Sequence, residues 1–220
     1  MDAGNPIIES VKDYPVYINN RDRLSSVQQL IAWLQKAGTR RIIILDNDSS
    51  YPPLMDFYQH VPTGVRLIRF GANCGPWAFW SKMMHISQIT PYVVTDADIV
   101  PSPTCPYDLI YRCAALLRVH PQSGKVGPSL LPISKWEEKF WKRRFNHQAW
   151  CANIDTTFAL YGAGSDGRVH QTALFDDPNN LRLDRPYVVL HTPAIPEIVA
   201  TRAAEEAYYR AHSNKAWSHC

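Results

Sequence analysis

Apolar residues in the first hundred positions follow two alternating patterns. Four short runs, residues 15–19, 41–45, 65–70 and 91–95, are rich in apolar and β-favouring side chains. Such runs are typical of strands buried on both faces, as in parallel sheets. Between them, apolar residues recur at spacings of three and four, which is the repeat of an amphipathic helix. The alternation predicts an α/β fold class, with βαβ units and right-handed crossovers around a mostly parallel sheet flanked by helices.

The helical pattern is best developed after the first run. Predicted helices cover residues 24–36, 52–58, 77–89 and 106–119. Gly38 stands where a C-terminal glycine cap belongs, and Pro52 suits the first turn of the second helix. The second half of the chain is less regular, and its predicted elements are an extended run at 155–161, a strand at 185–191 and a helix at 198–209.

Polar residues follow each of the four predicted strands. The strand ends carry residues 19–21, 46–48, 71–73 and 96–98. In open parallel α/β sheets, ligands bind outside the carboxyl ends of the strands. We therefore expect a binding site at this edge of the sheet.

Asp96 and Asp98 are the strongest candidates at this edge. Two carboxylates that are two residues apart after a buried strand can both turn toward one cation, and Mg²⁺ and Mn²⁺ prefer such oxygen ligands. The bound metal would neutralise a diphosphate leaving group. The alternative is a polar turn that caps the next helix. The position of the pair directly after the fourth strand favours the metal site.

Asp46 and the segment from Gly71 to Gly75 are further candidates. Asp46 ends the second strand, where a carboxylate can accept hydrogen bonds from a nucleoside; alternatively it caps the following helix. The two glycines bound a loop in which the backbone could approach a ligand closely. The chain contains neither the G-x-G-x-x-G nor the Walker pattern, which argues against a dinucleotide dehydrogenase or a P-loop enzyme.

Composition excludes several classes of protein. The 220 residues are 45% hydrophobic and 20% charged, as in ordinary globular domains, and the net charge of +3 is too small to indicate nucleic-acid binding. No apolar run approaches the roughly 20 residues of a membrane span. The five cysteines form no C-x-x-C pair and suggest no disulfide framework. With no apolar segment typical of a signal peptide near Met1, these features favour a cytoplasmic protein.

The segments PVYINNRDRL, IIILDNDS, VRLIRFGANCGP and YVVTDADIVP, in this order, resemble the nucleotide-binding half of GT-A fold glycosyltransferases and are most similar to bacterial family-2-type enzymes. The resemblance implies a single GT-A domain over 1–220, with a nucleotide-binding half in 1–101 and an acceptor-binding half in 102–220. It implies metal-dependent transfer of a sugar from a nucleoside-diphosphate sugar to an acceptor hydroxyl, in glycan or cell-surface polysaccharide synthesis.

The resemblance also implies roles for individual residues. Those expected to contact the nucleotide-sugar are Tyr17, Asn19, Asp46, Gly71, Asn73, Gly75 and Asp96. The divalent metal, Mn²⁺ or Mg²⁺, is expected on Asp96, Asp98 and His191.

Asp155 matches the base of the family's x-Glu-Asp motif, although Ile154 replaces the usual acidic neighbour. Asp155 begins an uncharged stretch, so partial burial could raise its pKa toward that of a useful base; alternatively it caps a turn. As the base, Asp155 would direct a single displacement with inversion. His191 ends an apolar strand, and a neutral imidazole suits Mn²⁺, although a single strand-end histidine is more often structural.

A basic aromatic stretch, Trp136 to Arg144, is the candidate acceptor surface. It could bind a glycan or a lipid-linked acceptor, or lie on an anionic membrane at its inner face. Alternatively it is a solvated basic helix with its aromatic residues in the core. Two other functions remain open: a nucleotidyltransferase, and a non-catalytic nucleotide-sugar binding module.

Overall fold

Four parallel strands form the first half of the main sheet. They are Val16–Asn20 (β1), Ile42–Asp46 (β2), Val65–Arg69 (β3) and Tyr92–Asp96 (β4), and their spatial order is β3-β2-β1-β4. The computed structural model describes residues 10–83, 91–132, 143–154, 157–162 and 179–213. Each of the four strands lies within one residue of its predicted bounds. The predicted α/β fold, with a sheet flanked by helices, is confirmed.

The helices of this half follow the predicted pattern. They are Leu24–Lys36 (α1), Pro52–Gln59 (α2) and Ala78–Met83 (α3). Helix α1 has the predicted bounds, and Gly38 follows it with a positive φ of 80° while its amide donates to the Gln35 carbonyl. Of the helix predicted at 77–89, residues 84–90 lie outside the described residues.

Both faces of the parallel strands are buried, because successive side chains point to opposite faces. On one face, Ile18 and Ile44 belong to a core cluster that includes Leu30 of α1. On the other face, Ile43 and Leu45 belong to a second cluster with an aromatic group from α3. This two-sided burial explains why the strands have continuous apolar runs.

The remainder of the sheet is built from short strands with mixed directions. Next to β4, and antiparallel to it, lies Ala159–Tyr161 (β10), followed by Lys125–Gly127 (β6), Leu181–Leu183 (β11), Ala149–Cys151 (β9) and Arg143–Arg144 (β8). A separate three-stranded sheet has Val188–His191 (β12) between Ile99–Pro101 (β5) and Ser129–Leu131 (β7). This second sheet brings the end of β12 beside the turn that follows β4.

The remaining described helices are Leu109–Val119 (α4), Pro196–Thr201 (α5) and Ala203–His212 (α6). The single helix predicted at 198–209 is wrong, because the structure has two helices that meet at Arg202, whose φ of −127° is not helical. None of the described helices is long and apolar enough to cross a bilayer.

Candidate functional site

A cavity of about 350 Å³ lies at the carboxyl ends of the parallel strands. Its walls come from the ends of β1, β2, β4 and β12, from the loop after β3, and from the end of α6. The lining residues are Asn19, Arg21, Arg23, Asn47, Asn73, Gly75, Pro76, Asp96, Ala97, Asp98, His191, Tyr209 and Ser213. Six residues that the sequence singled out are among them, at the edge of the sheet where the strand pattern predicted a site.

Asp96 and Asn19 end neighbouring strands and face each other across them. The two residues are register partners in the β1–β4 pair, and the Asn19 side-chain amide donates to a carboxylate oxygen of Asp96 at 3.3 Å. The Asn19 carbonyl also accepts the amide of Ala97 at 2.9 Å. The turn that carries the two aspartates is therefore fixed to the end of β1.

Asp98 lies close to His191, although 93 residues separate them in the sequence. Their Oδ2 and Nε2 atoms are 3.9 Å apart. Antiparallel pairing of β5 with β12 aligns Ile99 with His191, and this register brings the two side chains together. The Asp98 carbonyl accepts hydrogen bonds from the amide and the hydroxyl of Thr192, at 3.0 and 3.1 Å.

Carboxylate and imidazole are the donor types that Mn²⁺ accepts, so the pair Asp98 and His191 fits a divalent cation chemically. Asp96 lines the same cavity. Within the described ranges, however, no group of three or more His, Cys, Asp or Glu side chains is arranged to hold a metal ion. The predicted three-residue ligand set therefore stays a prediction.

Two arginines to which the sequence analysis assigned no individual role stand between the aspartates and α6. Arg23 is only 5% exposed. Its Nη1 donates to Glu206 at 2.6 Å, its Nε lies 3.8 Å from Asp98, and its guanidinium stacks 3.8 Å from the ring centre of Tyr209. Arg21 donates to the His212 carbonyl at 2.9 Å. The end of α6 is thus fastened over one side of the cavity by two cationic side chains.

Three buried polar atoms of the cavity residues have no hydrogen-bond partner among the described residues. They are Asn19 Oδ1, Arg21 Nε and Arg23 Nε. A buried donor or acceptor that is left unpaired costs about 1–3 kcal/mol. A ligand with anionic and hydroxyl oxygens could satisfy these atoms, so their location in the cavity indicates a binding site.

The loop after β3 is held by Asn47, which the sequence analysis placed at this edge without an individual role. Its side-chain oxygen accepts the Cys74 amide at 2.7 Å, and its side-chain nitrogen donates to the Gly75 carbonyl at 2.9 Å. Asn73 accepts the Gly75 amide at 3.1 Å. Gly71 and Gly75 have positive φ values of 68° and 66°, which favour glycine. The predicted glycine loop is therefore a fixed wall of the cavity.

Cys74 in this loop is disulfide-bonded, whereas Cys105, Cys113 and Cys151 are free and buried. Sequence spacing alone does not indicate this bond, because it does not show which thiols the fold brings together.

Two predicted ligand contacts point into the interior instead. Tyr17 is 4% exposed and packs against Phe79 at a ring-centre distance of 4.7 Å. Asp46 is 1% exposed, and it accepts hydrogen bonds from the Ser49 amide and from Arg69 Nε, both at 3.2 Å. Burial raises the pKa of Asp46 above its ordinary value even though both partners lower it. Both residues therefore belong to the protein interior next to the strand ends.

Two other predictions fall outside the described residues in whole or in part. Asp155 lies outside them. Its neighbour Ile154 is fully buried in the second core cluster, which gives a physical reason for an apolar residue at that position. Of the basic aromatic stretch, Arg143 and Arg144 are described and form β8; Arg143 donates to Cys151 Sγ at 3.0 Å and Arg144 pairs with Asp184.

Solved structures share this architecture. The chain overlays on the mannosyltransferase PcManGT from Pyrobaculum calidifontis, solved with GDP-Man and Mn²⁺, at 14% identity over 93% of this chain and 65% of that one, with a TM-score of 0.52. It overlays on UDP-glucose pyrophosphorylase in complex with UDP-glucose at 11% identity over 91% and 100% of the two chains, also with a TM-score of 0.52. The chain has the fold of nucleotide-sugar transferases.

A third overlay is weaker. HddC from Yersinia pseudotuberculosis, complexed with GMP-PN, matches at 17% identity over 53% of this chain and 58% of that one, with a TM-score of 0.36. In these overlays on HddC with GMP-PN and on the mannosyltransferase, this chain covers less than two thirds of the other chain. No protein-family model matches the sequence, and no curated protein sequence matches it either.

Proposed function

We propose that this chain is a metal-dependent glycosyltransferase that moves a sugar from a nucleoside-diphosphate sugar to an acceptor hydroxyl. The observation that carries the proposal is the cavity in which Asp96, Asp98 and His191 meet Arg21 and Arg23 at the carboxyl ends of the strands. Ligands of open α/β sheets bind at this edge. Cationic and metal-binding groups in one cavity suit a diphosphate, whose charge they would share.

The polar residues of the cavity would take three different roles. Asp98 and His191 would hold a Mn²⁺ or Mg²⁺ ion, which supplies positive charge to the departing nucleoside diphosphate. Arg21 and Arg23 have buried Nε atoms without a hydrogen-bond partner among the described residues, and these atoms can donate to phosphate oxygens. Asn19 orients Asp96 and keeps one unpaired oxygen for a donor hydroxyl. The glycine loop would exclude water from one side of the bound donor.

The proton acceptor in this proposal is Asp155, from the family resemblance. A single base that deprotonates the acceptor hydroxyl would give a single displacement with inverted anomeric configuration. NMR of the product formed in the first minutes of reaction measures that configuration directly. Retention would exclude a single displacement. The acceptor is proposed to be a glycan or a lipid-linked glycan, with the stretch Trp136 to Arg144 as its contact surface.

The test of the proposed function is product analysis with a panel of nucleotide-sugars and Mn²⁺. We expect release of a nucleoside diphosphate from one of them, and a loss of roughly 100- to 1,000-fold in rate for Asp98→Asn, because a preorganised electrostatic group is removed. The matched control is Asp13→Asn, which changes an exposed carboxylate paired with Arg40 and should retain the full rate. No release by the native protein from any donor would contradict the proposal.

Nucleotidyl transfer is the second candidate, and two observations favour it. Arg21 and Arg23 directly follow β1 and line the cavity, and the fold match to UDP-glucose pyrophosphorylase spans all of that protein. The two reactions differ in their products. With a sugar 1-phosphate and a nucleoside triphosphate, release of pyrophosphate would support nucleotidyl transfer. With a nucleotide-sugar and an acceptor, release of the nucleoside diphosphate would support glycosyl transfer.

A further inference from the structure

Arg202 occupies the break between α5 and α6 and is almost completely buried, with 8% of its surface exposed. Its Nη2 donates to the Gln29 side chain at 2.7 Å. Its Nη1 donates to the Ser26 hydroxyl and lies 3.4 Å from the Thr192 hydroxyl. Burying a guanidinium is costly unless its donors are paired. Packing alone therefore does not explain an arginine at this position.

The hydrogen bonds that begin at Arg202 have a fixed direction. Arginine can only donate, so the Ser26 oxygen must accept from it and turn its own proton elsewhere. The Ser26 hydroxyl lies 3.1 Å from the Thr192 hydroxyl. The Thr192 hydroxyl in turn lies 3.1 Å from the Asp98 carbonyl, which can only accept. An arrangement that satisfies every group runs from Arg202 through Ser26 and Thr192 to Asp98.

This chain of hydrogen bonds ends at Asp98, in the turn after β4 that lines the cavity. The Asp98 carbonyl receives both the amide and the hydroxyl of Thr192, the residue directly after His191. These two bonds fasten the end of β12 to the turn after β4. They therefore help to set the 3.9 Å separation of the Asp98 carboxylate from the His191 imidazole.

We propose that Arg202 is a positioning residue, which holds Asp98 and His191 at their mutual distance through the hydroxyls of Ser26 and Thr192. Arg202 does not touch the ligand in this account. The inference rests on the proposed function in one respect, that Asp98 and His191 bind the metal of the donor complex. Residues that orient metal ligands typically affect metal affinity by about 10- to 100-fold.

The experiment measures Mn²⁺ binding to the full chain by electron paramagnetic resonance of the free ion. We expect Arg202→Met and Thr192→Val each to raise the dissociation constant by about 10- to 100-fold. Because both act through one chain of bonds, the double variant should bind no more weakly than the weaker single variant. Thr192→Ser keeps the hydroxyl and should bind like the native protein. Arg112→Met, at a surface ion pair with Asp108, is the charge-matched control.

A second readout does not depend on any ligand. The Thr192 amide donates to the Asp98 carbonyl, so its hydrogen exchange reports the junction itself. In Arg202→Met this amide should exchange at least about tenfold faster, while the Val93 amide, bonded to Pro15 in the core, should keep its native rate.

The two readouts separate the possible failures. If the native protein binds no Mn²⁺, the metal part of the proposed function fails and the exchange of Thr192 still decides the positioning role. Folded Arg202→Met with native Mn²⁺ affinity would overturn the inference, as would native exchange at Thr192. Multiplying effects in the double variant would also overturn it.

Discussion

The interior and the carboxyl edge of the same four strands differ in whether their side chains find partners within the protein. In the interior, Ile18 and Ile44 are fully buried in a continuous apolar cluster on one face of the sheet. At the edge, Asn19 is half-buried and Arg23 is buried, and each has a buried polar atom without a hydrogen-bond partner among the described residues. Strand pairing supplies stability in one region, and the ends of those strands leave binding groups available in the other.

This contrast implies that stability and binding can be changed separately. A core substitution should lower the free energy of unfolding and leave the affinity of the folded cavity unchanged. A substitution at the edge should weaken ligand binding and leave the free energy of unfolding nearly unchanged, because groups that are paired only when a ligand is bound contribute little to the stability of the unliganded protein.

The largest effect on stability is expected from Ile44→Ala. The side chain is fully buried, and removing it should cost about 2–5 kcal/mol through lost burial and a residual cavity. Urea unfolding measures the change. Ile44→Val, which removes one methylene group, should cost about 0.5–1.5 kcal/mol. Donor binding by either folded variant should match the native protein, and a large loss of affinity in Ile44→Val would contradict the proposed separation.

Asn47 lies at the boundary between the two regions, so its substitution should affect both properties. Asn47→Ala removes the acceptor of the Cys74 amide and the donor to the Gly75 carbonyl. Leaving these groups unpaired should cost about 1–3 kcal/mol and weaken donor binding, because the glycine loop is loosened. Asn47→Asp retains the acceptor alone and should lie between alanine and the native residue in urea unfolding. Unchanged affinity in the alanine variant would mean that this loop does not form the donor site.

The smallest effect is expected from the protonation of Asp46. Burial raises the pKa of this carboxyl in the folded protein above the ordinary value of 3.8. The folded state therefore holds its proton to higher pH than the unfolded chain does. The free energy of unfolding should consequently decrease as the pH rises from about 3.8 through the raised pKa. Urea unfolding at several pH values should show this decrease in the native protein and a weaker one in Asp46→Asn. An identical slope in both proteins would rule out Asp46 as its source.

The first half of the fold could be predicted because each of its elements leaves a regular pattern. Helix α1 has the predicted bounds and the strands β1 to β4 lie within a residue of theirs, since both faces of the sheet are buried. The later strands are only two to four residues long. Such strands are too short to show a period, and β10 inserts beside β4 through pairing between distant segments. Their order could not be derived from local sequence.

The residues of the candidate site also differ in whether they could be predicted from the sequence. Asp96 and Asp98 follow a strand, so their position at the sheet edge could be derived from the pattern alone. Arg23 could not be found in this way, because its partner Glu206 lies 183 residues further along the chain. The break at Arg202 could not be derived for a similar reason: the apolar spacing continues across it, and only buried contacts with α1 and with Thr192 mark it.

The central claim is that this cavity binds a nucleoside diphosphate together with a divalent metal. Thermal unfolding of the native protein with UDP, GDP, dTDP, ADP and CDP, each with and without Mn²⁺, tests it most directly, because a ligand of the native state raises the midpoint by mass action. We predict a shift for one nucleotide that requires Mn²⁺ and is absent in Asp98→Asn. No shift with any nucleotide, or an undiminished shift in Asp98→Asn, would contradict the claim.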